Sequence, residues 1–242
     1  FTMTTIFMTA ANRGVGLGMV RELLKRDDVG LVVAAARQPD RATELREISD
    51  PRLKVVRMLV DDDNSIKKAA HETEQLVGDD GLDLLINNAA IRLPIDLKNP
   101  TRDLLFSHYN VNTASVVMTN AAFLPLLRKA VAKKGHAQIA TIASTLGSNA
   151  NCRGNVNNFD TCAYAMSKAA IIRYTTYASK DWADEGVRLS VFCPGWVRTD
   201  MGTDKAMLSV EESTSNLSQS ILALGPDDNG AFKNYLGEKI EY

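Results

Sequence analysis

The chain has 242 residues, 45% hydrophobic and 24% charged, so one α/β domain of ordinary size accounts for its length. Its 28 basic against 29 acidic residues leave a formal net charge of −1, which excludes a global basic field for a nucleic acid backbone or an anionic membrane. The three cysteines, Cys152, Cys162 and Cys193, have neither metal-type nor redox-type spacing and read as free thiols in a reducing compartment. No apolar run reaches the ~18 residues of a membrane span. No basic–apolar–small leader opens the chain, Met3 reads as a natural start, and the expected compartment is the cytoplasm.

In chain order, strand-like apolar runs fall at 5–9, 31–36, 53–60, 82–87, 138–144, 187–193 and 232–235. Helical periodicity occupies 15–26, 41–48, 65–77, 102–132, 163–185 and 210–224. The strands are continuous hydrophobic runs rather than alternating ones, as a sheet covered on both faces demands. The alternation predicts an α/β doubly wound parallel sheet with helices on both faces, and no linker or repeat divides it. Residues 1–135 are read as a cofactor-binding half and 136–242 as a catalytic and substrate-binding half of one domain. One segment breaks the rhythm: 145–161 is polar, rich in Asn and Gly, and follows the fifth strand, where open α/β sheets place their ligand crevice.

The first strand–helix connection reads Thr9-Ala10-Ala11-Asn12-Arg13-Gly14-Val15-Gly16-Leu17-Gly18. Glycines there let backbone N–H groups approach a pyrophosphate at a helix N-terminus, although a tight turn needing small residues explains them too. The second strand ends Ala34-Ala35-Ala36-Arg37, where NAD enzymes commonly carry an acid for the ribose hydroxyls. Arg37 and Arg13 would instead pair with a 2′-phosphate, which favours NADPH over NADH. Either alone reads equally well as a solvated surface arginine.

Tyr164 and Lys168 stand four apart on a predicted helix and share one face. A nearby ammonium favours the phenolate and brings a pKa near 10 toward neutrality, so the pair suits proton donation to an alkoxide. In isolation it reads more simply as a core tyrosine beside a snorkelling lysine. Ser144 ends the fifth strand, where a hydroxyl can polarise a carbonyl oxygen or merely close a turn.

What separates these alternatives is the ordered set. The glycine loop, Asn87-Asn88-Ala89-Ala90, Asn112 within Val111-Asn112-Thr113, Ser144, Tyr164 with Lys168, and Pro194-Gly195-Trp196-Val197-Arg198-Thr199-Asp200-Met201 resemble the short-chain dehydrogenase/reductase family, in its sniffer-like carbonyl reductase branch. The likeness covers nearly the whole chain, including Leu124-Pro125-Leu126-Leu127 and Asn229-Gly230-Ala231-Phe232. It implies a Rossmann-type fold with seven parallel strands and NADPH-dependent reduction of an aldehyde or ketone. It implies Tyr164 as proton donor, Ser144 orienting the carbonyl, Lys168 holding the nicotinamide ribose and lowering the tyrosine pKa, and Asn112 breaking its helix to hold a relay water. The implied cofactor contacts are Asn12, Arg13, Gly14, Val15, Gly16 and Arg37 at the phosphates, Val60 and Asn88 along the adenosine, and Val197 and Thr199 at the carboxamide and pyrophosphate. Residues 202–210 would form a mobile substrate lid. A homodimer or homotetramer through 102–132 and 163–185 is the family habit.

Four positions depart from the family pattern: Ala10, Ala90, Ala143 and Leu59 stand where Gly, Gly, Ser and Asp are usual, with Asp61 and Asp62 close behind Leu59. The long spacing from Ser144 to Tyr164 matches an insert of the sniffer-like branch. Ala10 keeps a second reading open, a nucleotide-binding sensor or scaffold with weak or no catalysis. A third is the same site working in the alcohol-oxidising direction.

Overall fold

The computed structural model describes residues 3–151 and 159–242. Its strands are β1 (Thr4–Met8), β2 (Val29–Ala36), β3 (Leu53–Arg57), β4 (Leu84–Asn87), β5 (Ala137–Ile142), β6 (Val187–Cys193) and β7 (Phe232–Asn234). They form one seven-stranded sheet in the order β3-β2-β1-β4-β5-β6-β7, with every pair parallel. The chain runs outward from β1 to β3, returns to β4 and runs outward to the opposite edge. The two directions part between β1 and β4, and the crevice beyond their carboxyl ends is where such sheets bind ligands.

The helices are α1 (Gly14–Leu24), α2 (Thr43–Arg46), α3 (Asp63–Val77), α4 (Arg102–Tyr109), α5 (Ser115–Lys134), α6 (Cys162–Asp181) and α7 (Val210–Leu222). They explain why the strands are apolar at consecutive positions. Ile6 and Met8 enter a core with Leu17, Val20 and Leu23 of α1 and Leu217 and Ile221 of α7. Phe7, one residue on, enters the opposite core with Ile66 of α3 and Phe123 and Leu127 of α5. The Phe7 and Phe123 rings lie 4.3 Å apart between centroids. Each fully buried side chain of this size contributes about 1.5–3 kcal/mol, so both faces hold the sheet.

Most boundaries shift by one to four residues, and three elements differ from their predicted spans for local reasons that the structure shows. β3 stops at Arg57 rather than 60, because the Leu59 N–H donates to Ser65 Oγ (2.9 Å) and the chain turns into α3. The helix predicted over 41–48 shrinks to four residues behind a 3₁₀ turn at Pro39–Arg41. The long helix predicted over 102–132 is α4 and α5 joined through a π-helical turn, Asn110–Ala114. Of the polar segment 145–161, two 3₁₀ turns are described, Thr145–Gly147 and Phe159–Thr161. The stretch 152–158, with Cys152, lies outside the described residues. Among the described residues no helix is long and apolar enough to cross a membrane, and no cluster of potential ligands could hold a metal ion.

Candidate active site

Carboxyl ends of β1 and β4 meet at the switch point through side-chain bonds. Thr9 Oγ1 accepts the N–H groups of Asn88 (2.9 Å) and Ala89 (3.0 Å). In return, Asn88 Nδ2 donates to the carbonyl of Ala10 (3.0 Å). Ala10 has φ +51°, a left-handed conformation that costs an L-residue about 1–2 kcal/mol and explains why the family prefers glycine there. The turn is made nonetheless, and the Ala11 N–H reaches Ala35 O at 2.9 Å. Gly16 is required by space: a β carbon there would stand 2.3 Å from Ala10 O and 2.6 Å from Asn88 Nδ2. Arg13 occupies the N-cap of α1 without a side-chain capping bond, so the first N–H groups of the helix face the crevice unsatisfied by any cap.

The other predicted phosphate contacts are spread around this turn. Asn12, Gly14 and Val15 are partly buried in the loop, while Arg37 is exposed just past β2. Val60, half-buried, packs on the core containing Phe7. Asp62, near the position of the missing family aspartate, caps α3 by accepting the N–H groups of Asn64 and Ser65.

At the ends of β5 and β6 the second cluster forms. Ser144 leaves β5 in extended conformation, accepts the Leu146 N–H (3.2 Å) and favours the Tyr164 phenolate through its hydroxyl. Tyr164 and Lys168 are both buried. Lys168 Nζ donates to Ile142 O (2.7 Å) and stands 5.6 Å from the centre of the Tyr164 ring. Burial pushes the tyrosine pKa well above its usual value, with a further push from Cys193, while the Ser144 hydroxyl and the Arg92 charge pull it down. Burial also lowers Lys168 to about 8, against a smaller opposing effect of Cys193. Burial thus favours the neutral form of both groups, and Ser144 and Arg92 act on the phenol in the opposite direction.

Asn112 is fully buried and ties three segments together. Its Oδ1 accepts the Ile91 N–H (2.8 Å), and its Nδ2 donates to Ile91 O (2.9 Å) and Ser167 Oγ (2.9 Å). Ser167 Oγ donates in turn to Tyr164 O (2.7 Å). The expected break at Asn112 is corrected to a widened turn: the π geometry keeps the helix continuous while rotating this side chain onto the strip after β4.

A hydrogen-bonded loop follows β6. Val197 bridges Leu208, Trp196 Nε1 donates to Gly202 O (2.7 Å), and Arg198 Nη1 donates to the carbonyls of Ala206 and Met207. Thr199 accepts the Gly202 N–H at 3.1 Å and packs against Gly14. The predicted lid is thus a hydrogen-bonded loop, strapped to the glycine loop by Arg13 Nη1–Asp200 Oδ2 (2.7 Å) and to the post-β4 strip by Arg92 Nη1 to Met201 O (3.1 Å). Sequence reasoning missed Thr9, Arg92, Cys193 and the pairing of Asp200. The only signal was adjacency, since Arg92 follows the Asn-Asn-Ala-Ala stretch and Cys193 precedes Pro194-Gly195.

The family model described as short chain dehydrogenase matches residues 4–207. The chain belongs to the short-chain dehydrogenase family. It is a short-chain oxidoreductase with that family's doubly wound fold. An uncharacterized oxidoreductase of Schizosaccharomyces pombe is 31% identical over 261 residues, spanning 100% of this chain and 99% of that protein. Among solved structures, the carbonyl reductase Sniffer of Drosophila melanogaster superposes with a TM-score of 0.93 at 31% identity, covering 99% of this short-chain dehydrogenase and 100% of Sniffer. The NADPH-bound carbonyl reductase from chicken fatty liver gives a TM-score of 0.94 at 33% identity, over 100% of this chain and 95% of the chicken one.

Proposed function

We propose that this short-chain dehydrogenase uses NADPH to reduce an aldehyde or ketone, with Tyr164 donating the proton. The observation that carries the reading is the buried Tyr164 beside Lys168, whose amine is held on Ile142 O, with Asn112 anchoring Ser167 of the same helix, at the carboxyl edge beside an uncapped glycine-rich helix N-terminus. The chicken carbonyl reductase, similar over the full chain, is an NADPH-bound protein, which supports the cofactor assignment.

The residues present fit that cofactor. The space kept open by Gly16 and the free N–H groups of α1 suit a pyrophosphate, and the guanidinium of Arg37, joined by that of Arg13 on exchange of its exposed Asp200 partner, suits a 2′-phosphate. Asn12, Gly14 and Val15 would line the loop, Val60 and Asn88 the adenosine, and Val197 and Thr199 the carboxamide and pyrophosphate. When bound, NADPH supplies the hydride.

The chain's own groups do the rest. Ser144 and Tyr164 donate hydrogen bonds to the carbonyl oxygen, where negative charge grows. Burial keeps the phenol protonated at neutral pH, the form a proton donor needs, and the charge of Arg92 eases its release. Lys168, with its pKa near 8, holds the nicotinamide ribose and is positioned to return a proton. Asn112 fixes the Ile91 strip and the first turns of α6 so that Tyr164 keeps its aim, and would hold a relay water. The two halves, 1–135 and 136–242, would divide cofactor binding from chemistry. Self-association would use α4, α5 and α6, where Phe106, Tyr109 and Tyr177 are exposed. Free Cys162 and Cys193 suit a cytoplasmic setting.

Tyr164→Phe tests the assignment. Titration of NADPH fluorescence should give an unchanged affinity, while turnover of a carbonyl panel should fall about 10²–10⁴-fold. Undiminished turnover refutes it. The left-handed Ala10 supports a second reading, a nucleotide sensor. Tight NADPH binding with no turnover of any carbonyl by the unaltered protein would favour that one.

A further inference from the structure

Arg92 is a cation whose hydrogen-bonding capacity the chemistry above leaves unused. Its neighbours in the chain are pinned: the Ile91 N–H and carbonyl are both held by Asn112, and the Leu93 N–H donates to His108 Nε2 (3.0 Å). The Arg92 charge favours the Tyr164 phenolate, and its Nη1 donates to Met201 O. A guanidinium has five N–H donors, so four remain. No carboxylate pairs with Arg92 among the described residues, and 152–158 contains no acidic residue. Arg13, on the other side of the same loop, has its carboxylate in Asp200. Met201 O lies on an exposed loop where water would serve equally well, so the single bond does not account for the charge.

Exposed apolar side chains stand on the segments that carry or follow Arg92, Met201 and Ser144. Leu93 is exposed beside Arg92, Met201 is tethered to it, Trp196 is tied to the same loop through Gly202, and Leu146 stands two residues from Ser144. A guanidinium without a carboxylate partner, with exposed apolar side chains on the neighbouring segments, suits an amphipathic anion. Resting on the carbonyl-reducing reading, we infer that Arg92 is a substrate-binding residue that selects carbonyl compounds bearing a carboxylate on an apolar body. With the carbonyl oxygen on Tyr164 and Ser144, the carboxylate turns to the free N–H groups of Arg92, and the apolar body lies along Leu93, Leu146 and Trp196.

The test compares 4-carboxybenzaldehyde with its methyl ester, equal in shape near the carbonyl and different in charge. With NADPH, the unaltered protein should prefer the acid in kcat/KM by about tenfold or more, mainly through KM, and added salt should erode the preference. Arg92→Gln should abolish the preference, lowering kcat/KM for the acid about tenfold more than for the ester, and Arg92→Lys should restore part of it. Calorimetric binding of 4-carboxybenzaldehyde to the protein saturated with NADP+ reads the contact without turnover, and should weaken about tenfold in Arg92→Gln. Equal loss for acid and ester, or no loss in binding, overturns the inference. Turnover of neither aldehyde by the unaltered protein, with Arg92-dependent binding retained, instead overturns the carbonyl-reducing reading and leaves Arg92 as an anion site.

Discussion

Burying Lys168 has a consequence for stability that is independent of any substrate. Its pKa falls from 10.5 in the unfolded chain to about 8 in the folded one, because desolvation penalises the ammonium. Below pH 8 both states bind the proton, and the folded state carries the whole penalty of a buried charge. Between pH 8 and 10.5 the unfolded state binds more protons than the folded state, so this lysine makes the protein more stable as pH rises. At about 1.4 kcal/mol per pH unit the gain across that window is about 3 kcal/mol. Lys168→Met keeps the length of the side chain and removes the titration, although it also strands the carbonyl of Ile142. Urea unfolding of both proteins at pH 7.5, 8.5, 9.5 and 10.5, without cofactor, isolates the effect in the difference between their stabilities. Unaltered minus variant should grow by about 3 kcal/mol over the series, the stranded carbonyl adding only a constant offset. Parallel curves would show that Lys168 is solvated in the folded protein, and the placement of its amine against β5 would then be wrong.

Two further outcomes concern the cofactor loop. Ala10→Gly removes about 1–2 kcal/mol of left-handed strain and returns about 0.4–1 kcal/mol to the unfolded chain, so it should stabilise the protein slightly. A rise in Tm of about 2 °C by calorimetry, with NADPH affinity unchanged or tighter, is expected, and a fall in Tm counts against the strained turn. Gly16→Val places a side chain where Ala10 O and Asn88 Nδ2 already are, so NADPH binding by fluorescence should weaken at least about tenfold while far-UV dichroism still shows the fold. Unchanged affinity would remove the crevice at the β1–β4 switch point as the cofactor site.

What the sequence made legible divides by the reach of the interaction. The central strands were readable because they are apolar at consecutive positions, and β6 was bounded at 187–193 as observed, since all of its residues but Arg188 are buried. The end of β3 and the π turn at Asn112 were not readable, because each is set by a side chain binding a distant or non-helical backbone group. The same division runs through the site. Tyr164 and Lys168 share a helix face by spacing alone, and the strand end fixes Ser144, so a local pattern sufficed to nominate them. Arg92 meets Met201 across 109 positions and acts on Tyr164 through space, and Cys193 reaches the Thr145 N–H (3.3 Å) from another strand. Residues that transfer a proton need a fixed frame and therefore leave a fixed spacing. Groups that tune that proton or grip the rest of the substrate need only proximity, which folding supplies from anywhere in the chain. Selectivity in this protein is accordingly to be sought at Arg92 and the loop it tethers, not in the motif that marks the family.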